Sequence, residues 1–321
     1  MRPRTVDVPS LVAQAREGRP RAVARLISLV EDAHPALREA MALIAPDAGR
    51  AHVIGVTGAP GVGKSTTTNA LVTAYRARGL RVGVLAVDPS SPFSGGALLG
   101  DRVRMSEHAA DPEVFIRSMA SRGHLGGLSW AAPQALRVLD AAGCDVVLLE
   151  TVGVGQSEVE VAATADSTLV LLAPGLGDGI QAAKAGILEV ADVLVVNKAD
   201  REGADRTVRD LRHAVSLADH SEPGTWRTPV VRTVATSGGG VEELLSALED
   251  HRAWLGDAGL RARRARRAAH EIEGLALESL RARVGGVRGD ARLSTLADDV
   301  VAGRLDPYAA ADAIVESLTS R

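Results

Sequence analysis

The chain has 321 residues, of which 46% are hydrophobic but only 2% aromatic, and a formal net charge of −3. That length holds one large domain with appendages or two domains, and its core must be built from Val, Leu, Ile and Ala, as in parallel strands covered on both faces. The near-neutral charge argues against nucleic acid or an anionic membrane as partner, and the single cysteine, Cys144, excludes an internal disulfide or a cysteine-cluster metal site. No apolar run approaches the ~20 residues of a membrane span, and MRPRTVDVPS at the start lacks a signal-type apolar segment, so a cytoplasmic protein is expected.

Residues 8–45 place apolar positions at helical spacing, punctuated by Pro20 and Pro35, which predicts two or three short helices in an N-terminal segment, 1–48. From 52 onward the pattern changes. HVIGVT (52–57), RVGVLAVD (81–88), EVFIRS (113–118), DVVLLET (145–151), STLVLLA (167–173), DVLVVNK (192–198) and PVVRTV (229–234) read as strands. Helical stretches such as 65–78, 130–142 and 204–218 separate most of them, so the central part, 49–256, is expected to be an α/β domain with a mostly parallel sheet flanked by helices. Beyond 256 no strand signal remains: residues 260–284 read as one long helix, and 291–302 and 307–319 as two shorter ones. Arg261, Arg263, Arg264, Arg266 and Arg267 carry no interleaved aromatics and are offset by Glu271, Glu273 and Glu278, which favours a solvated helix face or a subunit-contact arm over a nucleic-acid patch.

GAPGVGKST, residues 58–66, follows the first strand and opens a helix. Gly58, Gly61 and Gly63, with Ala59, Pro60 and Val62 between them, would let successive backbone N–H groups turn inward on a phosphate at a helix N-terminus. Lys64 should reach the β- and γ-phosphates, the Ser65 hydroxyl should ligate Mg²⁺, and Thr66 completes the motif. A nucleoside triphosphate is therefore expected. Asn197, Lys198 and Asp200 end a later strand as Asn-Lys-x-Asp. Asp200 can accept the N1–H and N2 amino donors of guanine, a pair that adenine lacks, while Lys198 lies along the base and Asn197 braces the loop. Val234, Ala235 and Thr236 follow the next strand as the last base-contacting loop. The Ala235 N–H is expected to face guanine O6, although Val234 stands where many GTPases have serine.

Asp88 ends a strand and leads into a Pro/Ser/Gly loop containing Asp101; both could reach Mg²⁺, or Asp88 could start a turn and Asp101 cap a helix. Glu150 ends a strand expected beside that of the P-loop, and Gly153 in the following TVGVGQ could shift with the γ-phosphate. Gln156 could orient water or simply begin a helix. Val154 directly after Gly153 removes the water-positioning glutamine of Ras-like enzymes, so slow intrinsic hydrolysis is expected. Asp178 and Lys184 lie in a further glycine-rich strand–helix loop, where capping and solvation explain them equally well.

GAPGVGKST, VDPSSPFSGGALLGDRVRM, ETVGVGQSE, PGLGDGIQAAKAGILEVADVLVVNKAD and DPYAAADAI together resemble the MeaB/ArgK family of P-loop GTPases, from about residue 20 to the C-terminus. The resemblance implies a GTP-hydrolysing chaperone that assists cofactor loading, protection or reactivation of an adenosylcobalamin-dependent acyl-CoA mutase, with methylmalonyl-CoA mutase the foremost client. An adenosyltransferase is a further candidate partner. By the same resemblance, Asp88, Asp101 and Glu150 belong to the Mg²⁺ and switch environment, with Lys64 and Glu150 the catalytic candidates. Gly153, Gln156, Asp178 and Lys184 would couple partner binding to the nucleotide, and residues 257–321 form a homodimerisation arm. The competing readings are a transport-system protein kinase and a metal-insertion GTPase.

Overall fold

The computed structural model describes residues 6–89, 106–108, 110–121, 131–151, 157–175, 187–218, 224–284 and 291–319. Three helices come first: α1 (Val8–Arg16), α2 (Pro20–Glu31) and α3 (Leu37–Ile44). Asp7 caps α1 by accepting the Ser10 N–H at 3.1 Å, and Pro20 opens α2 at the one turn where its missing N–H is harmless.

Strands and helices then alternate: β1 (His52–Gly58), α4 (Lys64–Ala77), β2 (Val82–Pro89), β3 (Val114–Ser121), α5 (Ala131–Ala141), β4 (Val146–Thr151), α6 (Ser157–Thr164), β5 (Ser167–Leu172), α7 (Ile187–Val190), β6 (Val193–Asn197), α8 (Ala204–Ala218) and β7 (Val230–Thr233). The strands form one sheet in the order β3-β2-β4-β1-β5-β6-β7, and every pairing is parallel. All the expected strands are present, and the sheet is wholly rather than mostly parallel. β1, β4, β5 and β6 are buried along their whole length, which is why they read as unbroken aliphatic runs.

Two helical layers bury those runs. On one face Leu26, Ile27 and Ile44 of the N-terminal helices and Leu139 of α5 pack with Val53, Leu85, Val147 and Leu149. On the other, Leu71 and Val72 of α4 and Leu244, Leu245 and Leu248 pack with Ile54, Val56, Leu148 and Leu169. The last three leucines open α9 (Val241–Val284), whose course is interrupted at Gly256 by a non-helical backbone (φ 54°, ψ −174°). α10 (Ala291–Val301) and α11 (Pro307–Thr319) follow. The chain divides into two compact units, Met1–Arg267 and Ala268–Arg321. Among the described residues no helix is long and apolar enough to cross a membrane.

The arginine run has a different role from the solvated face or contact arm expected of it. Arg263 grips Asp192 through two nitrogens, at 2.8 and 2.6 Å. Arg264 binds the Asp166 carboxylate at 2.7 Å and the Ala51 carbonyl at 2.8 Å, and Arg267 donates to the Thr164 carbonyl at 2.6 Å. Asp166 and Asp192 immediately precede β5 and β6, so three of the five arginines tie α9 to the amino-terminal edge of the sheet. Burial by itself would raise both carboxyls, but Arg264 and Arg267 at Asp166, and His251 with Arg263 at Asp192, hold them below the usual range.

His52 belongs to the same buried cluster. Its Nε2 lies 2.9 Å from Ser167 Oγ, which is 2.8 Å from His251 Nδ1; His251 Nε2 stands 3.1 Å from Asp192. Burial lowers the His52 pKa to about 4 against the opposing pull of Asp166. The unfolded chain therefore binds a proton here that the folded chain refuses. Stability is full above pH 6.5 and falls as the pH drops from 6.5 toward 4. A loss of about 3 kcal/mol by the lower limit is expected, at about 1.4 kcal/mol per pKa unit. Urea midpoints across that window check it; His52→Gln, which keeps a donor for Ser167, should flatten the slope.

Candidate nucleotide-binding site

The loop 58–63 leaves β1 at its carboxyl end and enters α4 directly, and β1 lies between β4 and β5 where the strand order reverses, the place at which open parallel sheets bind ligands. Gly58 and Gly63 have φ of 140° and 99°, a region that favours glycine. Space demands glycine there as well: a Cβ on Gly58 would stand 2.3 Å from the Leu171 carbonyl oxygen, and one on Gly63 would stand 2.3 Å from Asn197 Nδ2. Val62 is buried and anchors the loop, while Pro60 and Gly61 are exposed. The Lys64 ammonium donates to the Gly58 and Ala59 carbonyls at 2.7 and 3.1 Å, which holds the charge over the loop. Thr66 is half-buried in the first turn of α4. Gly63→Ala is expected to weaken GDP binding about tenfold or more, since left-handed backbone strain of about 1–3 kcal/mol adds to the clash with Asn197; fluorescent GDP titration measures it.

β4 lies beside β1, as expected, in a register that pairs Glu150 with Val56. This brings the buried Glu150 carboxylate to the start of α4, where Ser65 Oγ donates to its Oε1 at 2.6 Å. Ser65 and Glu150 thus form a hard-oxygen pair next to the phosphate loop, a donor set that suits Mg²⁺. Asp88 is the penultimate residue of β2, opposite Ala120 of β3. Asp101, Gly153, Gln156, Asp178 and Lys184 lie outside the described residues.

Asn197 fastens the ends of β6 and β7 to the loop 58–63. Its Nδ2 donates to the Val62 carbonyl at 2.9 Å, and its Oδ1 accepts from Thr233 Oγ1 at 3.2 Å and the Ala235 N–H at 3.1 Å. Lys198, at φ 57°, donates to the Gly61 carbonyl at 2.6 Å, and Asp200 is exposed. The Ala235 N–H thus meets Asn197 in this structure, and a contact with guanine O6 requires that bond to be shared or exchanged. Val234 sits in a turn closed by Ser237, whose N–H and hydroxyl both donate to the Val234 carbonyl, at 3.0 and 3.2 Å; Thr236 is exposed. Thr233 is a bracing residue that sequence reasoning misses, since its only signal is a hydroxyl directly before Val234-Ala235.

The profile of the family described as "Methylmalonyl Co-A mutase-associated GTPase MeaB" matches residues 23–287. The chain belongs to the MeaB family. A Pyrococcus horikoshii relative carrying a provisional GTPase name is 46% identical over 318 residues, covering 98% of this chain and 99% of that protein. GTPase ArgK of Escherichia coli is 39% identical over 255 residues, 77% of each chain. The crystal structure of a protein named LAO/AO transport system kinase superposes with a TM-score of 0.72 at 26% identity, covering 97% of both chains. This MeaB-family chain is thus a GTPase with a P-loop fold, and the Ser65–Glu150 pair and the Asn197 brace both stand against its phosphate-loop segment, 58–66.

Proposed function

We propose that this GTPase is a chaperone of an adenosylcobalamin-dependent acyl-CoA mutase, methylmalonyl-CoA mutase foremost, and uses GTP hydrolysis to govern cofactor loading, protection or reactivation of that client. The match of residues 23–287 to a family described as mutase-associated carries this reading. Lys64 and the P-loop N–H groups hold the phosphates, Asp200 accepts the guanine edge, and Asn197 keeps the two ends in register. Ser65 and Glu150, with Asp88 and Asp101, would hold Mg²⁺, which when bound supplies positive charge against the β- and γ-phosphate oxygens. Gly153, Gln156, Asp178 and Lys184 would relay client binding to the nucleotide.

The test is phosphate release from GTP and ATP, with and without a purified B12-dependent acyl-CoA mutase. Slow GTP turnover that rises sharply with mutase is the expected result, whereas indifference to every mutase would withdraw the chaperone role. Equal use of ATP would overturn the role of Asp200. The kinase name of the structural relative favours one second reading, phosphoryl transfer to protein, for which retention of γ-phosphate label on a polypeptide is the mark.

The dimerisation role of the C-terminal helices stays part of the proposal. Leu280, Val301, Tyr308 and Val315 present exposed apolar surface in the second compact unit, and a second copy of the chain would cover it. Light scattering on the full chain should give twice the monomer mass, falling toward the monomer when Leu280 and Tyr308 are made charged.

A further inference from the structure

At the end of the sheet opposite the P-loop, beside the starts of β1 and β4, lies a cleft of about 530 Å³. Its apolar floor includes Leu80 and Val146, and its charged lining comprises Arg16, Asp47, Arg50, Asp140, Asp145 and Arg252. The formal charges cancel, but the hydrogen-bonding capacities do not. Both oxygens of Asp140 accept backbone N–H groups from Gly49, Arg50 and Ala51. Asp47 is held by Arg16 at 2.6 Å, and Asp145 accepts the Arg81 N–H at 2.8 Å. Against that, the Arg50 guanidinium comes no closer than 4.0 Å to Asp47, and among the described residues Arg252 makes no hydrogen bond or ion pair. The backbone beneath each is fixed: Asp140 pins the loop carrying Arg50, and Arg252 follows His251, which is wholly buried.

Two guanidinium forks from separate elements thus border one cleft with donors unspent. A planar carboxylate is satisfied by one such fork, whereas a tetrahedral phosphate has oxygens enough for two. We propose that this cleft binds a small phosphate-bearing anion through Arg50 and Arg252, apart from the nucleotide site.

The P-loop also takes phosphate, so the experiment uses the full chain saturated with GDP and magnesium. Pyrophosphate and glycerol phosphate are titrated separately by calorimetry. Saturable uptake of at least one is expected, weakened tenfold or more in the Arg50→Ala/Arg252→Ala double variant while GDP affinity is unchanged. Uptake equal in the variant would assign the anion to the P-loop and overturn the proposal, as would no saturable uptake of either probe. Because both arginines are exposed, the variant should keep the parent's circular dichroism and melting temperature. The charge-conserving Arg50→Lys/Arg252→Lys form should retain part of the binding, which separates lost donors from a distorted cleft. Neither outcome depends on the mutase role.

Discussion

Glu150→Ala is expected to lower GTP turnover about 10²–10³-fold, the usual cost of removing one fixed group that meets developing charge, while GDP affinity stays within about threefold. The reason lies in the register. Parallel pairing with β1 brings Glu150 level with Val56, and the buried carboxylate takes the Ser65 hydroxyl at 2.6 Å. Ser65 lies in the first turn of α4, so on the proposed reading the pair would act where charge builds up during transfer rather than where the base is read. Glu150→Gln separates the two contributions. It can still accept the Ser65 bond but carries no charge; a rate as low as that of the alanine variant assigns the effect to charge, and a rate near the parent's assigns it to orientation of Ser65. Single-turnover phosphate release decides between them, and an unimpaired alanine variant would remove Glu150 from the chemistry.

The second large effect is one of stability. Asp166→Ala is expected to destabilise the chain by about 3–5 kcal/mol, the range for breaking a buried ion pair from one side. The Asp166 side chain is 1% exposed and that of its partner Arg264 only 18%, so alanine strands a guanidinium in a site that water barely reaches. The same carboxylate accepts the Val53 N–H at 3.0 Å, and that buried donor is orphaned too. Glu17→Ala is the control: its pair with Arg19 has side chains 57% and 63% exposed, and its loss should register below about 1 kcal/mol. Urea denaturation measures both. A loss under about 1 kcal/mol for Asp166→Ala would mean that α9 does not depend on its arginines for attachment to the sheet.

The fold was legible because its strands are short aliphatic runs closed by turn-forming residues, and burial on both faces demands such runs. GAPGVGKST and the Asn-Lys-x-Asp tetrapeptide could be picked out as candidates because their residues are neighbours in sequence. Glu150 was half-legible: its place at a strand end could be read, but its contact with Ser65 needed β4 to pair with β1. The arginines were misleading, since on a linear chain five cations in seven positions look like a solvated helix face. Arg264 and Asp166 are 98 residues apart, and no local pattern distinguishes a cation that will be buried from one that will not. Thr233 escaped for a similar reason, because its hydroxyl matters only once β7 lies beside β6.

By itself, then, the sequence determined the strands, the order of strand and helix, and the glycine-rich turn from β1 into α4, and it marked the candidate nucleotide-contacting residues, all through hydrophobic period, glycine placement and side-chain chemistry within a few positions. Tertiary structure alone decided which carboxylates became buried partners, that Asn197 joins Thr233 and Ala235 to the loop 58–63, and that three arginines of α9 fasten it to the sheet. Those outcomes depend on desolvation and pairing between residues far apart in the chain, and such energies exist only after the strands have been set side by side.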